Sequence, residues 1–590
     1  MNTSRSGEVY AEVTNPFPPM KNFTSTSVLE TLESRLAPAG LVTLNLTAAG
    51  ALTVTGDVDH NDFVITESGD QWTISTLTDG ATATRFSLNG GAEATTLTFD
   101  APLSVKAVLG AGDDEMILDG VLLPGALNVN TGDGDDILDL TSTTLGGTVT
   151  VLMGNGGDYF TAGGDLFFGK GLSVNLGNGA NTFEVNATAL TSNGNISALS
   201  GGTAFEKQEF LFKTGVGQVN GALTLRTTTN SFTDFEIGDS VTDSLTVTKA
   251  MTVQSLAGSD NVTLRGDLNV GGLLALRVGN GTNTVITTNL DELASRGFTY
   301  TGGTGTDDFL LEAREVIIEG NFAFSAGAGT NKLDIFTSEY FGASGALTYT
   351  GGIGQDDLIL DGPEVYVGGI VTMNASSGTN SFGLNAVAAS VGGVRYTGGT
   401  GEDIVDIGQF EGDSNLITVR GSVSISTGAG DSEVMVRNGD IYGNLSVITT
   451  AGLGFVDTVQ FLESDFRGNV SVSLRGNADS DVFVRDSIFD RNVTVATGNG
   501  VDYVQFDTDT EVSSIYSVFD GYVRVLLGNG DDVFLAGANP SVETVGNDFN
   551  SYIDVDGGAG YDIAYFMDSV AYNNAFNGPL PWTYRVEDYA

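Results

Sequence analysis

The 590-residue sequence has no cysteine and a single histidine, His60. Disulfides and thiolate metal centres are excluded, and zinc, haem and histidine-based triads lack the side chains they require. Basic residues are also scarce, 24 against 74 acidic ones, for a net charge of −50. Such a chain repels nucleic acid and anionic lipid, so neither is expected as a partner, and divalent cations are its natural counterparts. No window approaches the roughly 18 to 20 apolar residues of a membrane helix, which argues against membrane insertion. The opening "MNTSRSGEVYAEVTNPFPPMKNFTSTS" is polar and broken by prolines, without the layout of a signal peptide, so residues 1–40 read as a flexible leader.

What the chain does have is glycine, 82 residues, beside 41% hydrophobic residues and 33 Phe. That combination fits a long core interrupted by many turns, not a disordered acidic tail. The glycines fall into a nine-residue phrase, G-x-G-x-[DN]-x-U-x-U with U apolar, seen in "GAGDDEMIL" from Gly110, "GDGDDILDL" from Gly132, "GNGANTFEV" from Gly177 and "GTGTDDFLL" from Gly303. Neighbouring copies stand about 22 to 25 residues apart, each preceded by an alternating strand such as "GALNVN" or "GSVSIS" and followed by another. Strand, glycine turn, strand and connector repeated at this period predict an all-β fold, a right-handed parallel β-helix with coils of about 22 to 25 residues. The repeats span 41–570, with Leu41–Leu88 as opening coils. The aromatic tail 571–590 is expected to form a C-terminal cap.

From Gly279 to Ile407 the fifth position of the phrase alternates: Asn283, Asp307, Asn331, Asp356, Asn380, Asp403. Carboxylates stacked at about 4.8 Å repel by roughly 1 kcal/mol in water and about 3 to 4 at an effective dielectric near 20. An intervening Asn removes that repulsion and is able to hydrogen-bond both neighbours. Asp114, Asp136 and Asp158 follow one another without Asn, so their charges must be exposed, partly protonated or bridged by a cation. The same phrase position holds Asp532 and Asp562 near the end of the chain.

Paired acids such as Asp113–Asp114, Asp135–Asp136, Asp307–Asp308, Asp356–Asp357 and Asp531–Asp532 should diverge to opposite faces of a strand, which favours a turn and ladder over a catalytic pair. His60 reads as a solvated loop residue or as a ligand beside Asp57, Asp59 and Asp62. Tyr300, Tyr349 and Tyr396, each in "YTGG", read as a stack along the coil axis or as a carbohydrate-binding strip. The stretch Gly201–Leu245, with "FEKQEFLFKTG", breaks the pattern and is a candidate contact region.

The phrase resembles the calcium-binding nonapeptide of RTX proteins, G-G-x-G-x-D-x-U-x, most closely at Gly302–Asp307, Gly351–Asp356, Gly398–Asp403 and Gly557–Asp562. The resemblance implies calcium as a cofactor held by Asp307, Asp356, Asp403 and Asp562; Asp114, Asp136, Asp158 and Asp532 join them as candidate metal ligands through their place in the phrase. "LETLESRLAPAG" (Leu29–Gly40) resembles the LE-x-R-type leader on large secreted repeat proteins of planctomycetes and related bacteria, which implies a secreted or cell-surface location. The expectation is an acidic structural or adhesive surface solenoid that gathers divalent cations and binds polysaccharide or other surface proteins. No catalytic residue is assigned; the alternative is a polysaccharide lyase or glycoside hydrolase on the same fold, with Arg265, Arg277, Arg420, Arg475 or Arg485 beside converging acids.

Overall fold

The computed structural model describes residues 40–566, apart from 78–82, 203–205, 229, 231, 409–416, 453, 508–516 and 538–546, together with short strands at 575–576, 582–584 and 588–589. These belong to one unit, Pro38–Ala590; the leader lies outside the described residues. Among the described residues there is no helix, hence none long and apolar enough to cross a membrane.

Each coil sends one strand into each of three parallel sheets. In one coil these are Ser104–Ala111, Glu115–Asp119 and Leu122–Leu123. The first sheet continues in register through Val105, Leu127, Val149 and Leu172, and the second through Met116, Leu138, Phe160 and Phe183. The third, shorter sheet runs through Leu123, Leu145 and Phe168. The chain is thus an all-β parallel β-solenoid, as the period predicts. In the middle, extended structure runs unbroken from Asp260 to Ile318 through several corners.

Alternation along each strand decides what is buried: in Ser104–Ala111 it is Val105, Ala107 and Leu109 that face inward. Because coils repeat in register, like stacks on like. Phe466, Phe489, Phe519 and Phe549 form a column with ring centroids 4.8, 4.8 and 4.9 Å apart, the spacing of neighbouring strands. Each buried Phe contributes roughly 1.5 to 3 kcal/mol. The stacked core therefore grows in proportion to the number of coils.

The expected coil length holds for much of the chain, with hydrogen-bonded equivalents 22 to 25 residues apart. It stretches to 30 between Asp502 and Asp532 and between Asp532 and Asp562. The additional residues fall at 508–516 and 538–546, outside the described residues. The tail strands at 575–576, 582–584 and 588–589 pair in parallel with the preceding coil, one in each sheet, so the tail contributes a further turn.

The opening segment is more than a set of coils. Ala51–Thr55 and Asp62–Ser68 do form a parallel layer on the coil that follows, but antiparallel partners lie across them. Leu41–Leu46 pairs with Ala51–Thr55, and Gln71–Thr76 with both Asp62–Ser68 and Thr96–Asp100. The buried Val42, Leu44, Trp72, Ile74 and Phe86 cover the end of the core. A solenoid end otherwise presents unpaired strand edges and an open apolar layer, and a hairpin cover satisfies both.

Two distinct demands place glycine at the first corner. Gly354 has φ of +141°, which residues with a Cβ resist. Gly352 is needed for close approach instead: a Cβ there would meet the Gly327 carbonyl oxygen of the coil below at 2.2 Å.

Candidate functional site: a buried polar ladder

The first corner delivers one polar side chain per coil to the start of the second sheet, pointing into the solenoid. The column reads Asn61, Asp114, Asp136, Asp158, Asn181, Gln208, Thr233, Asp260, Asn283, Asp307, Asn331, Asp356, Asn380, Asp403, Ser432, Asp457, Ser480, Asp502, Asp532, Asp562, and every member is buried. All eight candidate metal ligands lie in it. Asp114, Asp136 and Asp158, for which exposure was one option, are 1%, 0% and 1% exposed.

In the stretch without Asn the side chains serve the backbone. The Asp114 N–H donates to Asp136 Oδ1 at 2.9 Å, the Asp136 N–H to Asp158 Oδ1 at 3.1 Å, and the Asp158 N–H to Asn181 Oδ1 at 2.9 Å. Asp114 Oδ1 also accepts from the N–H and Nδ2 of Asn61. The Oδ2 atoms of Asp114, Asp136 and Asp158 have no hydrogen-bond partner. Burial, with neighbouring carboxylates adding to it, pushes Asp114 and Asp158 up to about 7 and raises Asp136. Near neutral pH Asp114 and Asp158 are therefore partly protonated, which relieves both desolvation and their repulsion with Asp136. Asp532 is likewise raised to about 7, first by burial and then by the charges of Asp502 and Asp562.

In the alternating stretch each carboxylate receives side-chain donors. Asn283, Asn331 and Asn380 each donate Nδ2 to Oδ1 of the next coil's Asp307, Asp356 and Asp403, all at 2.8 Å. The expectation that Asn bonds both neighbours needs correcting. Its Nδ2 serves the following Asp and a carbonyl of its own corner, Gly327 in the case of Asn331, while the Oδ1 atoms of all three Asn have no partner.

The tyrosines complete the arrangement. Tyr300, Tyr349 and Tyr396 are 0–1% exposed, so they form no surface strip. Their hydroxyls donate to Asp307, Asp356 and Asp403 Oδ1 at 2.8, 3.2 and 2.7 Å. Their rings do stack in part, Tyr300 on Phe324 at 4.5 Å and Phe324 on Tyr349 at 5.0 Å. Burial raises Asp307, Asp356 and Asp403, and the Asn and Tyr hydrogen bonds oppose it.

Sequence reasoning missed the hydroxyl-to-carboxylate bond, although a signal exists: Tyr precedes Asp by seven residues on each of these coils. A second signal is the first glycine of "YTGG". A Cβ at Gly351 would meet the Asp356 carboxylate at 2.2 Å, and Gly302 and Gly398 stand in the same relation to Asp307 and Asp403. The Asn coils carry Val278, Ala326 and Ala375 at that position.

The paired acids diverge as expected. Asp113, Asp135, Asp308 and Asp531 are exposed and Asp357 is half-buried. Several outer acids form a second ladder, in which Asp113 accepts from the Asp135 N–H at 2.9 Å, Asp135 from Gly157 N–H at 2.6 Å and Asp531 from Tyr561 N–H at 2.9 Å. His60 is half-buried, with Nδ1 2.7 Å from the Asp113 carbonyl oxygen.

Calcium takes six to eight oxygen ligands. Among the described residues no three acidic or histidine side chains are grouped to hold a metal, and the ladder carboxylates stand one per coil inside the core. Of the candidate arginines, Arg420 lies over the Tyr366 ring, Arg475 bonds Ser473 and Arg485 bridges Glu463, while Arg265 stands beside acids that line a depression.

The fold and the ladder together define the class: a parallel β-solenoid repeat protein with a buried polar column along one corner. Comparison with known proteins finds no matching protein-family model and no matching curated protein.

Proposed function

We propose that this is an exported, acidic structural solenoid of a bacterial surface, presenting a long stiff face for adhesion. The observation that carries this reading is the division of the corner acids into an inner and an outer row. The inner row holds coils in register, because a one-residue slip would turn its side chains out of the core and apolar ones into solvent. The outer row leaves carboxylates at the surface, Asp113 and Asp135 one coil apart and Asp531 on a distant coil. There divalent cations gather loosely and bridge copies of the chain or other acidic surface molecules.

Light scattering of the purified protein during calcium addition tests this. Calcium at millimolar concentration should promote association that a chelator reverses, and Asp113→Asn with Asp135→Asn and Asp531→Asn should weaken it. Association indifferent to calcium would overturn the bridging role. Protease treatment of intact source cells should cleave the protein, and full protection would overturn the surface location.

A further inference from the structure

The corner phrase disappears in two consecutive coils, at Gly201–Gln208 and Thr227–Thr233, and the outer face of the second sheet changes there. Across four successive coils the outward side chains Glu209, Leu211, Asp234, Glu236, Asn261, Thr263, Thr284 and Ile286 line an open depression with a cavity volume of about 410 Å³. That volume lies within the roughly 300 to 1,000 Å³ of small-molecule sites. Short Asn261 and Thr263 keep its floor low.

The acids around it are paired with basic side chains, Lys213 also reaching Asp239 at 3.7 Å, on a chain that is otherwise strongly acidic. Lys207 bridges Glu209 and, at 2.8 Å, Asp234. Lys213 reaches Glu236 at 3.1 Å, and Arg265 bridges Glu236 and donates Nε to Thr288 Oγ1 at 3.3 Å. Asn261 Nδ2 donates to Asp234 Oδ1 at 2.9 Å. Lys207 also lies 5.7 Å from the ring centroid of Phe232, an exposed aromatic at the rim.

We propose that this depression binds an uncharged glycan strand. A charged ligand would have to displace an internal ion pair, and a polyanion would also face the net charge of the chain. Sugar hydroxyls need no displacement: they donate to free carboxylate lone pairs of Glu209, Asp234 and Glu236 and accept from Lys, Arg and Asn N–H groups. Leu211 and Ile286 offer apolar surface to the C–H face of a ring, and the four coils give a track on the order of 15 Å long. The site is separate from the polar ladder, and neither role depends on the other.

Isothermal titration of the full chain with linear hexasaccharides of β-linked glucose, xylose and mannose, beside α-linked galacturonate, tests the proposal. At least one neutral hexasaccharide should bind. Thr263→Tyr, which fills the floor, should weaken it at least tenfold, while Thr458→Tyr, outward on a distant coil of the same sheet, should leave it unchanged. Asp234→Asn should weaken binding several-fold and serves as the second variant if Thr263→Tyr alters the circular dichroism. No neutral ligand bound, galacturonate alone bound, or equal affinity for the two Tyr variants would each overturn the proposal.

Discussion

Asp114–Asp136–Asp158 and Asp307–Asp356–Asp403 occupy the same corner, the same inward position and the same depth of burial, yet they accommodate their charges differently. In the first run carboxylates are consecutive, Asp136 adds to the raised pKa of both Asp114 and Asp158, and protons on those two relieve the charge. In the second, Asn separates the carboxylates, and for Asp356 every influence beyond burial is a hydrogen bond that lowers the pKa. The residues seven positions before the first run's aspartates are Ala107, Val129 and Val151, where the second has Tyr. A solenoid thus has two ways of placing acids at coil spacing: neutralise them, or dilute and solvate them from within. Only the first makes stability strongly dependent on pH near neutrality.

The largest expected difference comes from truncation. Asp356→Ala removes the acceptor of one Asn331 Nδ2 proton, the other still serving Gly327 O, and leaves the buried Tyr349 hydroxyl only the Asn331 carbonyl oxygen at 3.2 Å. The orphaned N–H costs about 1 to 3 kcal/mol and the hydroxyl's exchange of a carboxylate for a longer carbonyl bond about 1, so the loss should be about 2 to 4 kcal/mol. Asp136→Ala strands the Asp114 N–H but also removes a repelling charge, for a net loss of about 1 kcal/mol. Urea unfolding with hydrogen exchange over the affected coils measures both, and equal losses would dissolve the distinction between the two runs.

Next in size is a transplant of the alternation. Asp136→Asn keeps an oxygen for the Asp114 N–H, and its new amide has the Gly132 carbonyl four residues back, as Asn331 has Gly327. Asp114 and Asp158 hold protons up to about pH 7 when folded and release them near 3.8 when unfolded. The native chain therefore binds more protons, and their stabilising contribution, complete below about pH 4, is lost as pH rises through 7. The D136N variant should be more stable than wild type by about 1 to 3 kcal/mol at pH 8 and nearly unchanged at pH 4. Parallel pH profiles for the two proteins would show that the consecutive carboxylates are not coupled.

Much of this was legible from periodicity. The phrase located the corner, and its fifth position located the ladder, because a stacked coil makes sequence period into spatial register. Divergence of Asp356 and Asp357 followed from strand geometry. The Tyr349–Asp356 bond was not legible as such, since the two residues lie on different sheets and meet only across the corner. The hairpin cover at Leu41–Thr76 escaped because a period of two reports a half-buried strand and not the direction of its partner. The glycan depression was visible only as an interruption of the phrase. Its depth depends on how Glu209, Asp234 and Asn261 from successive coils line up.

The finest test concerns the tyrosine alone. Tyr349→Phe keeps the ring, which stacks 5.0 Å from Phe324, and removes only the hydroxyl, which donates to Asp356 Oδ1 and also faces the Asn331 carbonyl oxygen, each at 3.2 Å. Phe324 already occupies the equivalent place on the preceding, Asn-bearing coil, so the substitution is sterically native to the solenoid. One hydrogen bond to a carboxylate contributes about 1.5 to 3 kcal/mol, and the remaining Asn331 donor should hold the loss to about 1 kcal/mol. Its sign with pH carries the information. The Tyr349 bond lowers the Asp356 pKa, so without it Asp356 binds its proton more tightly in the folded state. The Y349F defect should then be larger at pH 8 than at pH 4, giving the alternating run some of the pH dependence of the consecutive one. A defect of equal size at both values would assign Tyr349 to packing alone.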